Sequence, residues 1–398
     1  MNQKLLIIDG SSLLSTSFYG TAMAYTMAKT EEDKMQALSK LLQTSNGQFT
    51  NGVYTFTKTL LSLIKQQAPT HMAIVWDVTR ASFRKTTISG EYKGTRKETP
   101  MPLKEQFKTT QDLFAGIIPQ YMSQMTDDVI YEADDFAGSL AKKFETCMPT
   151  YLYTKDEDYL QLVSPYTRVW LVTSKAAQMF EEVGVEPKEY LLPNGVFEYT
   201  LTSLKDLKGL EPYQIVEYKA LCGDSSDNIP GVKGIGPKAV VPLLNEYGDI
   251  QTIYEMIEDL DEKEQKAYGK FFKEALGISR NPIKNLIENK ASAWMSQELA
   301  TIKTDIPEIQ ELTLEDVALS LDIEALKTRL MALEMKSLVD ELSGESTKAS
   351  SKQSVQKTKR VQAKQSIEEV QSIEEVKRVG QAQRVQDAQQ DMTQLSFF

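Results

Sequence analysis

The chain has 398 residues, 41% of them hydrophobic and 25% charged, with a formal net charge of −11, which is room for two or three soluble domains. Its single histidine, His71, and its two cysteines, Cys147 and Cys222, which lack CxxC spacing, exclude a multi-histidine or cysteine metal site and a disulfide framework, as well as any triad not built on His71. The apolar start, Leu5 to Ile8, meets Asp9 too soon for a signal peptide or a membrane span, so a cytoplasmic protein is expected.

In chain order, Lys4 to Ile8, Met72 to Trp76, Val129 to Tyr131, Thr150 to Tyr153 and Thr167 to Val172 are short β-rich runs separated by helix-like stretches, the pattern of a mostly parallel α/β sheet. His71 reads as a strand-entry residue, and both cysteines as small core residues. From about Thr202 the character becomes helical. Pro212 to Cys222, Pro237 to Tyr247 and Ile250 to Ile278 carry apolar residues at helical spacing, and a further helical pair is expected in Leu314 to Leu342. The predicted layout is an α/β domain over 1–201, a helical region over 202–343, a disordered tether over 344–391 and a short tail over 392–398. The tether is rich in Gln, Ser, Lys, Val and Glu and holds the tandem repeats Gln365 to Val370 and Gln371 to Val376. It cannot bury enough apolar area to order itself, a transient helix over the repeats being the competing view.

Nine acidic residues fall in five short motifs: Asp9, Asp77, then Glu132, Asp134 and Asp135, then Asp156 and Asp158, then Asp224 and Asp227. Any one alone reads as a cap or a solvated face. Four of the motifs, however, are predicted to follow strands and so to meet at one sheet edge, where open α/β sheets place their sites. Glu132 with Asp135, and Asp224 with Asp227, have the i, i+3 spacing that points two carboxylates the same way. Such crowding repels itself unless cations are bound, and an all-oxygen donor set selects Mg²⁺ or Mn²⁺. Without a histidine base, the chemistry this suggests is metal-assisted phosphodiester hydrolysis, with two cations about 3.5–4 Å apart.

Between Arg80 and Lys108 eight basic residues stand against three glutamates, a local excess of five on an acidic chain. Arg80, Arg84, Lys85, Lys93 and Arg96 are candidate phosphate contacts there, against a solvated charged loop. In GVKGIGPKA, the glycines Gly231, Gly234 and Gly236 let backbone amides approach a phosphate. Lys233 and Lys238 flank them, and Pro237 opens a helix with its positive end forward; a bare Gly-rich turn is the alternative.

The set IDGSS, FTNGVYTF, VWD, SFR, EYKGTR, YEADD, KDEDYLQLV and ALCGDSSDNIPGVKGIGPKA resembles the bacterial and phage 5′ to 3′ exonucleases, including the 5′ nuclease domain of bacterial DNA polymerase I and, more distantly, the flap endonucleases. The resemblance runs from Lys4 to Gly248. It implies a PIN-like or resolvase-like sheet, a helical arch over about 80–125 that passes a 5′ single strand, and a helix-three-turn-helix over about 211–248 that binds duplex and often a potassium ion. It assigns Asp9, Asp77, Glu132, Asp134 and Asp135 to a first cation and Asp156, Asp158, Asp224 and Asp227 nearer a second. In this pattern Lys93 and Arg96 stabilise charge on the reacting phosphate, and Tyr92 stacks on an unpaired base. Two departures stand out: Lys155 occupies a position the family gives to Gly, and the stretch Thr21 to Thr44 is longer than usual.

The terminal residues Gln394, Leu395, Ser396, Phe397 and Phe398 resemble the pentapeptide that docks bacterial proteins on the sliding clamp, with Phe397 in place of Leu; a meaningless apolar terminus is the alternative. The expected protein is therefore a free-standing, monomeric, Mg²⁺-dependent 5′ nuclease of the nucleoid, acting on branched or nicked duplex DNA with 5′ ends in replication and repair. The competing readings are a non-catalytic DNA-binding module and a PIN-type ribonuclease, the first not needing nine carboxylates and the second not expected to carry GVKGIGPKA.

Overall fold

The computed structural model describes residues 3–124, 128–187 and 191–344. The tether and clamp-like tail lie outside these residues. A six-stranded sheet organises the first half: β1 (Leu5–Asp9), β2 (His71–Val75), β3 (Gln120–Tyr121), β4 (Thr150–Thr154), β5 (Thr167–Val172) and β6 (Val196–Tyr199). The spatial order is β3-β2-β1-β4-β5-β6, parallel throughout except for antiparallel β6. β1 sits at the centre, with Leu5 paired to His71 on one side and Thr150 on the other.

Every residue of β1, β2 and β4 is buried, as expected of parallel strands covered on both faces. Alternation then divides the core. Leu5, Ile7, Ala73, Val75 and Leu152 face helix Ala133–Phe144. Leu6, Ile8, Met72, Ile74 and Trp76 face helices Gly10–Thr21 and Asn51–Gln67, where the Trp76 ring stacks on Phe56 at 5.8 Å between centroids. His71 opens β2, as its sequence position suggests.

Three sequence expectations fail in whole or in part. Val129 to Tyr131 forms no strand; the third parallel strand is the two-residue Gln120–Tyr121, which pairs with Ile74 and Val75. Glu132 therefore follows extended chain rather than a strand, and Cys147 is exposed rather than core. The arch region is helical only in part: between Asp77 and Met101 the chain is loop around one π-helical turn, Arg84–Ile88, and helix Met101–Phe114 packs beside Gly10–Thr21 and Asn51–Gln67.

The second half is helical, as read from spacing: Gln214–Cys222, Pro237–Tyr247, Ile250–Ile257, Glu262–Ala275 and Lys290–Ala300 pack into a core continuous with that under helix Ala133–Phe144. The last helices, Ile323–Ala332 and Lys336–Leu342, return to the other face of the sheet. Among the described residues no helix is long and apolar enough to cross a membrane.

Gly10 follows Asp9 directly, and a Cβ there would lie 2.7 Å from Ile74 and 2.8 Å from Trp76. Helix Gly10–Thr21 can seat so close to β2 only without that methyl. Gly10→Ala is expected to cost about 1–3 kcal/mol as an overpacked site, read as a lower urea midpoint at unchanged slope.

Candidate active site

The C-terminal ends of β1, β2 and β4 deliver acidic residues to one edge. Asp9 ends β1 and caps the next helix, Oδ1 accepting from the Ser12 amide at 2.9 Å while Oδ2 accepts from the Thr154 hydroxyl at 2.7 Å. Asp77, just past β2, accepts from the Ala133 amide at 2.9 Å, and its own amide donates to Ser11 at 2.8 Å. Past β4, Asp156 accepts from the Asp158 amide at 2.9 Å. The loop between Thr154 and Asp158 tolerates Lys155: its φ is not positive, and its amide donates to Ser12 Oγ at 3.0 Å.

The other acids are held by the protein's own cations. Glu132 Oε2 accepts from Lys93 Nζ at 2.8 Å, the Tyr92 hydroxyl at 3.1 Å and Arg84 Nη1 at 3.2 Å. Asp227 pairs with Arg96, with Lys93 Nζ 3.8 Å away. Lys219 bridges Asp158 and Asp224, the latter at 2.6 Å. Lys93 itself is in the left-handed region at φ 53°, its amide donating to the Asp227 carbonyl at 2.8 Å. A non-glycine residue keeps such a conformation only where its surroundings impose it.

The charges do not cancel everywhere. Among the described residues no salt bridge reaches Asp9, Asp77 or Asp156. Burial first, and then the Asp77 charge, push Asp9 up to about 7. Burial and then Asp156 push Asp158 up to about 7 despite Lys219. Asp134 is driven upward by burial and by its neighbour Asp135. Against the cost of burial, Lys93 and Arg84 hold Glu132 low, and Lys219 with Ser226 hold Asp224 at about 2. Lys93 and Lys219 are pushed up by the carboxylates around them, also against burial.

An all-carboxylate set with surplus negative charge is the donor chemistry of a hard divalent cation. As placed, no three of these groups converge closely enough to hold one. Lys93, Arg96 and Lys219 stand among them instead. A cavity of about 780 Å³ opens over this edge, lined by Ser11, Asp77, Arg80, Lys93, Arg96 and Glu132 among others.

Three of the predicted roles need correction. Arg84, expected on phosphate, is 1% exposed and spends its guanidinium on carboxylates and on the Leu299 and Thr301 carbonyls. Tyr92, expected to stack on a base, is 3% exposed and packs with Ile229 and Leu299, so no base can reach its face. Asp135, expected on the first cation, is fully buried, and both its oxygens are already engaged: Arg84 at 2.7 and 2.8 Å, the Glu132 amide at 2.9 Å and the Lys303 amide at 2.8 Å. Arg80 is exposed but donates to the Arg96 and Lys97 carbonyls, bracing the loop. Lys233 and Lys238 stand exposed on the glycine turn, and Lys85 is half-buried. Sequence reading missed Lys219, Thr154 and Gln161; only the helical position of Lys219, five residues before Asp224, hinted at a partner.

Residues 4–189 match the family described as 5′-3′ exonuclease, N-terminal resolvase-like domain, and residues 210–324 the one described as 5′-3′ exonuclease, C-terminal SAM fold. A 5′-3′ exonuclease of Halalkalibacterium halodurans is 32% identical over 318 residues, covering 79% of this chain and 89% of the relative. DNA polymerase I of Bacillus caldotenax is 33% identical over 320 residues, 80% of this chain but 30% of the polymerase. In fold, the chain is similar to the T5 5′-exonuclease with bound zinc (TM-score 0.52, 19% identity, 84% of this chain and 99% of that one). It is likewise similar to the bacteriophage T5 flap endonuclease in complex with DNA and metal ions (TM-score 0.51, 19% identity, 83% and 100%).

Because the folded state keeps Asp9 and Asp158 protonated up to about pH 7, well above the ordinary 3.8, it binds more protons than the unfolded chain between those values. Stability without divalent cations should therefore fall as pH rises across that window. Mg²⁺ is expected to raise the melting temperature, and by more at pH 8 than at pH 5. A melting temperature indifferent to Mg²⁺ at pH 8 would contradict the fit.

Proposed function

The chain belongs to the 5′-3′ exonuclease family, and we propose that it is a structure-specific nuclease that cleaves DNA at junctions between a duplex and a free 5′ strand, as both exonuclease and flap endonuclease. The observation that carries this reading is the carboxylate edge, its Asp9, Asp77 and Asp156 without salt-bridge partners, under a cavity lined by Lys93 and Arg96.

Asp9, Asp77, Glu132 and Asp134 would hold one Mg²⁺ or Mn²⁺, and Asp156, Asp158, Asp224 and Asp227 a second. When bound, the pair supplies activation of the attacking water and charge compensation at the leaving 3′ oxygen. The chain's own residues do the rest. Thr154 and Ser12 fix both oxygens of Asp9, and Ala133 fixes Asp77. An incoming phosphate competes for Lys93 and Arg96, and their release frees Glu132 and Asp227 as ligands. Lys93 and Arg96, once on the phosphate, would stabilise the charge that develops there in the transition state. Tyr92 and Arg84 stay on Glu132 and hold it in place.

Duplex would lie on the turn Gly231 to Lys238, with Lys233 and Lys238 on phosphates and a potassium ion on the backbone. Such a grip reads shape rather than bases. The tail Gln394 to Phe398 would tether the monomeric enzyme to a bacterial-type sliding clamp. We propose with this a cytoplasmic, nucleoid-associated role on primers and flaps of the Okazaki type.

End-labelled flap, nicked, blunt and single-stranded DNA, with and without Mg²⁺, test the reading. Cleavage should require Mg²⁺ or Mn²⁺, favour the flap and leave a 5′-phosphate. Asp134→Ala should abolish cleavage while DNA binding survives, because taking away a carboxyl group, charged or neutral, removes no attraction for phosphate. Near-normal turnover in that variant would sink the assignment. Lys93→Ala should lower kcat more than affinity, whereas Lys238→Ala should weaken duplex binding and reduce its salt slope by about one. Equal effects of both variants on both parameters would erase the distinction. Deleting residues 394–398 should leave short flaps cleaved as before but remove stimulation by a loaded clamp.

A further inference from the structure

Helix Lys290–Ala300 touches both the glycine turn and the carboxylate edge. Its eleven residues span about 16 Å at the standard helical rise. On one side, both backbone polar atoms of Gly231 bond to it: the Gly231 amide donates to Ser296 Oγ at 2.9 Å, and Ser292 Oγ donates to the Gly231 carbonyl at 2.7 Å. Gly231 has no slack of its own. It sits at φ 62°, and a Cβ there would fall 2.2 Å from the amide nitrogen of Gly223, the residue before Asp224. The turn thus cannot shift without moving either this helix or the backbone leading into Asp224.

At the other end the helix presents its unpaired C-terminal carbonyls, where the dipole is negative and donors are favoured. Arg84 takes two of the carbonyls just there, Nε donating to Leu299 at 3.0 Å and Nη2 to Thr301 at 2.7 Å, while its outer edge grips Asp135 and Glu132. Gln161 takes a third: its Nε2 donates to the Ala300 carbonyl at 3.1 Å and to the Asp158 carbonyl at 2.9 Å, and its Oε1 accepts from the Ile302 amide at 3.0 Å. One helix end is therefore bonded to both halves of the carboxylate edge. Ser296 and Asp135 are fully buried and Arg84 nearly so, and bonds in such surroundings are stiff and costly to break singly. Leu299 and Ala300 also pack with Tyr92 and Ile229, filling the space between turn and edge.

From this we infer that helix Lys290–Ala300 is a coupling strut: duplex engagement at the Gly231 turn is transmitted through Ser296 and Arg84 to the positions of Glu132, Asp135 and Asp158. Ser296, Arg84 and Gln161 are positioning residues, and Asp135 is an anchor rather than a ligand. The inference rests on the proposed nuclease function. It makes cleavage depend on duplex, a selectivity beyond affinity.

The test is a double-mutant cycle of Ser296→Ala with Arg84→Lys, measured as kcat at saturating flap DNA and on a short single strand that cannot fill the duplex grip. Ser296→Ala should lower kcat on the flap by about five-fold or more, the range of ordinary coupling, and leave the single strand within about two-fold. Ser296→Thr, which keeps the hydroxyl, should restore the flap rate. In an Arg84→Lys background Ser296→Ala should have little further effect. Additive losses, equal losses on both substrates or a change confined to affinity would overturn the coupling. A second readout needs no cleavage. Plain duplex without a free end should slow amide exchange at residues 132–136 in the unmodified protein and not in Ser296→Ala. Slowing in both, or in neither, overturns the strut. Failure of the unmodified protein to cleave any DNA would instead overturn the nuclease reading.

Discussion

The structure turns on one electrostatic constraint: carboxylates at the ends of β1, β2 and β4 and from two other segments, 132–135 and 224–227, meet at one sheet edge, and at 4 Å two like charges repel by about 4 kcal/mol at an effective dielectric of 20. The parallel topology makes the meeting unavoidable, since β1, β2 and β4 all end on the same side. Lys93, Arg96, Arg84 and Lys219 each come from outside the sheet to meet part of that charge. The loop after β2 closes over the edge because three of these cations lie on it. It is fastened there by Arg80 on its own carbonyls, by Asn228 on the Glu91 carbonyl and by the Lys93 amide on Asp227. The compensation is incomplete at Asp9 and Asp134, where burial and neighbouring carboxylates leave negative charge unmatched.

The same constraint explains why four of the eight basic residues between Arg80 and Lys108 are spent on the protein's own groups. Of the basic residues expected to face phosphate, Arg84 is sealed inside, Arg80 braces the loop, and Lys93 and Arg96 are engaged with carboxylates. Only Lys93 and Arg96 both line the cavity and pair with residues assigned to cations. A counterion exchange at these two side chains would let phosphate and divalent cations enter together, each relieving what the other would leave unpaired.

Much of this was legible in the sequence because it depends on local pattern. Asp9 and Asp77 follow apolar runs that β-propensity and length mark as strands, and the helices from Gln214 onward show their period. What was not legible depends on distant partners. Arg84 meets Asp135 across 51 residues and Leu299 across 215, and nothing near Arg84 in the chain distinguishes a buried arginine from a phosphate contact. Val129 to Tyr131 has strand composition but no neighbour to pair with, whereas Gln120–Tyr121 pairs with only two residues of β2, too short to leave a period. Tyr92 sits in a charged motif that reads as surface, yet its ring completes a small apolar cluster contributed by residues more than a hundred positions later.

The adjacent pair Asp134 and Asp135 shows how one motif yields two roles. Helical geometry turns successive side chains through about 100°, so neighbours cannot face the same site. Asp135 turns back toward its helix start, accepts the Glu132 amide and receives the whole fork of Arg84, a bidentate arrangement that fixes direction as well as charge. Asp134 is left 3.8 Å from that guanidinium, 16% exposed and pushed toward the neutral form by burial and by Asp135 itself. Arg84 cannot satisfy both, because its remaining donors are committed to Leu299 and Thr301. The arginine thus stabilises one carboxylate as a rigid anchor and leaves the other short of positive charge, as the cation role proposed for Asp134 requires.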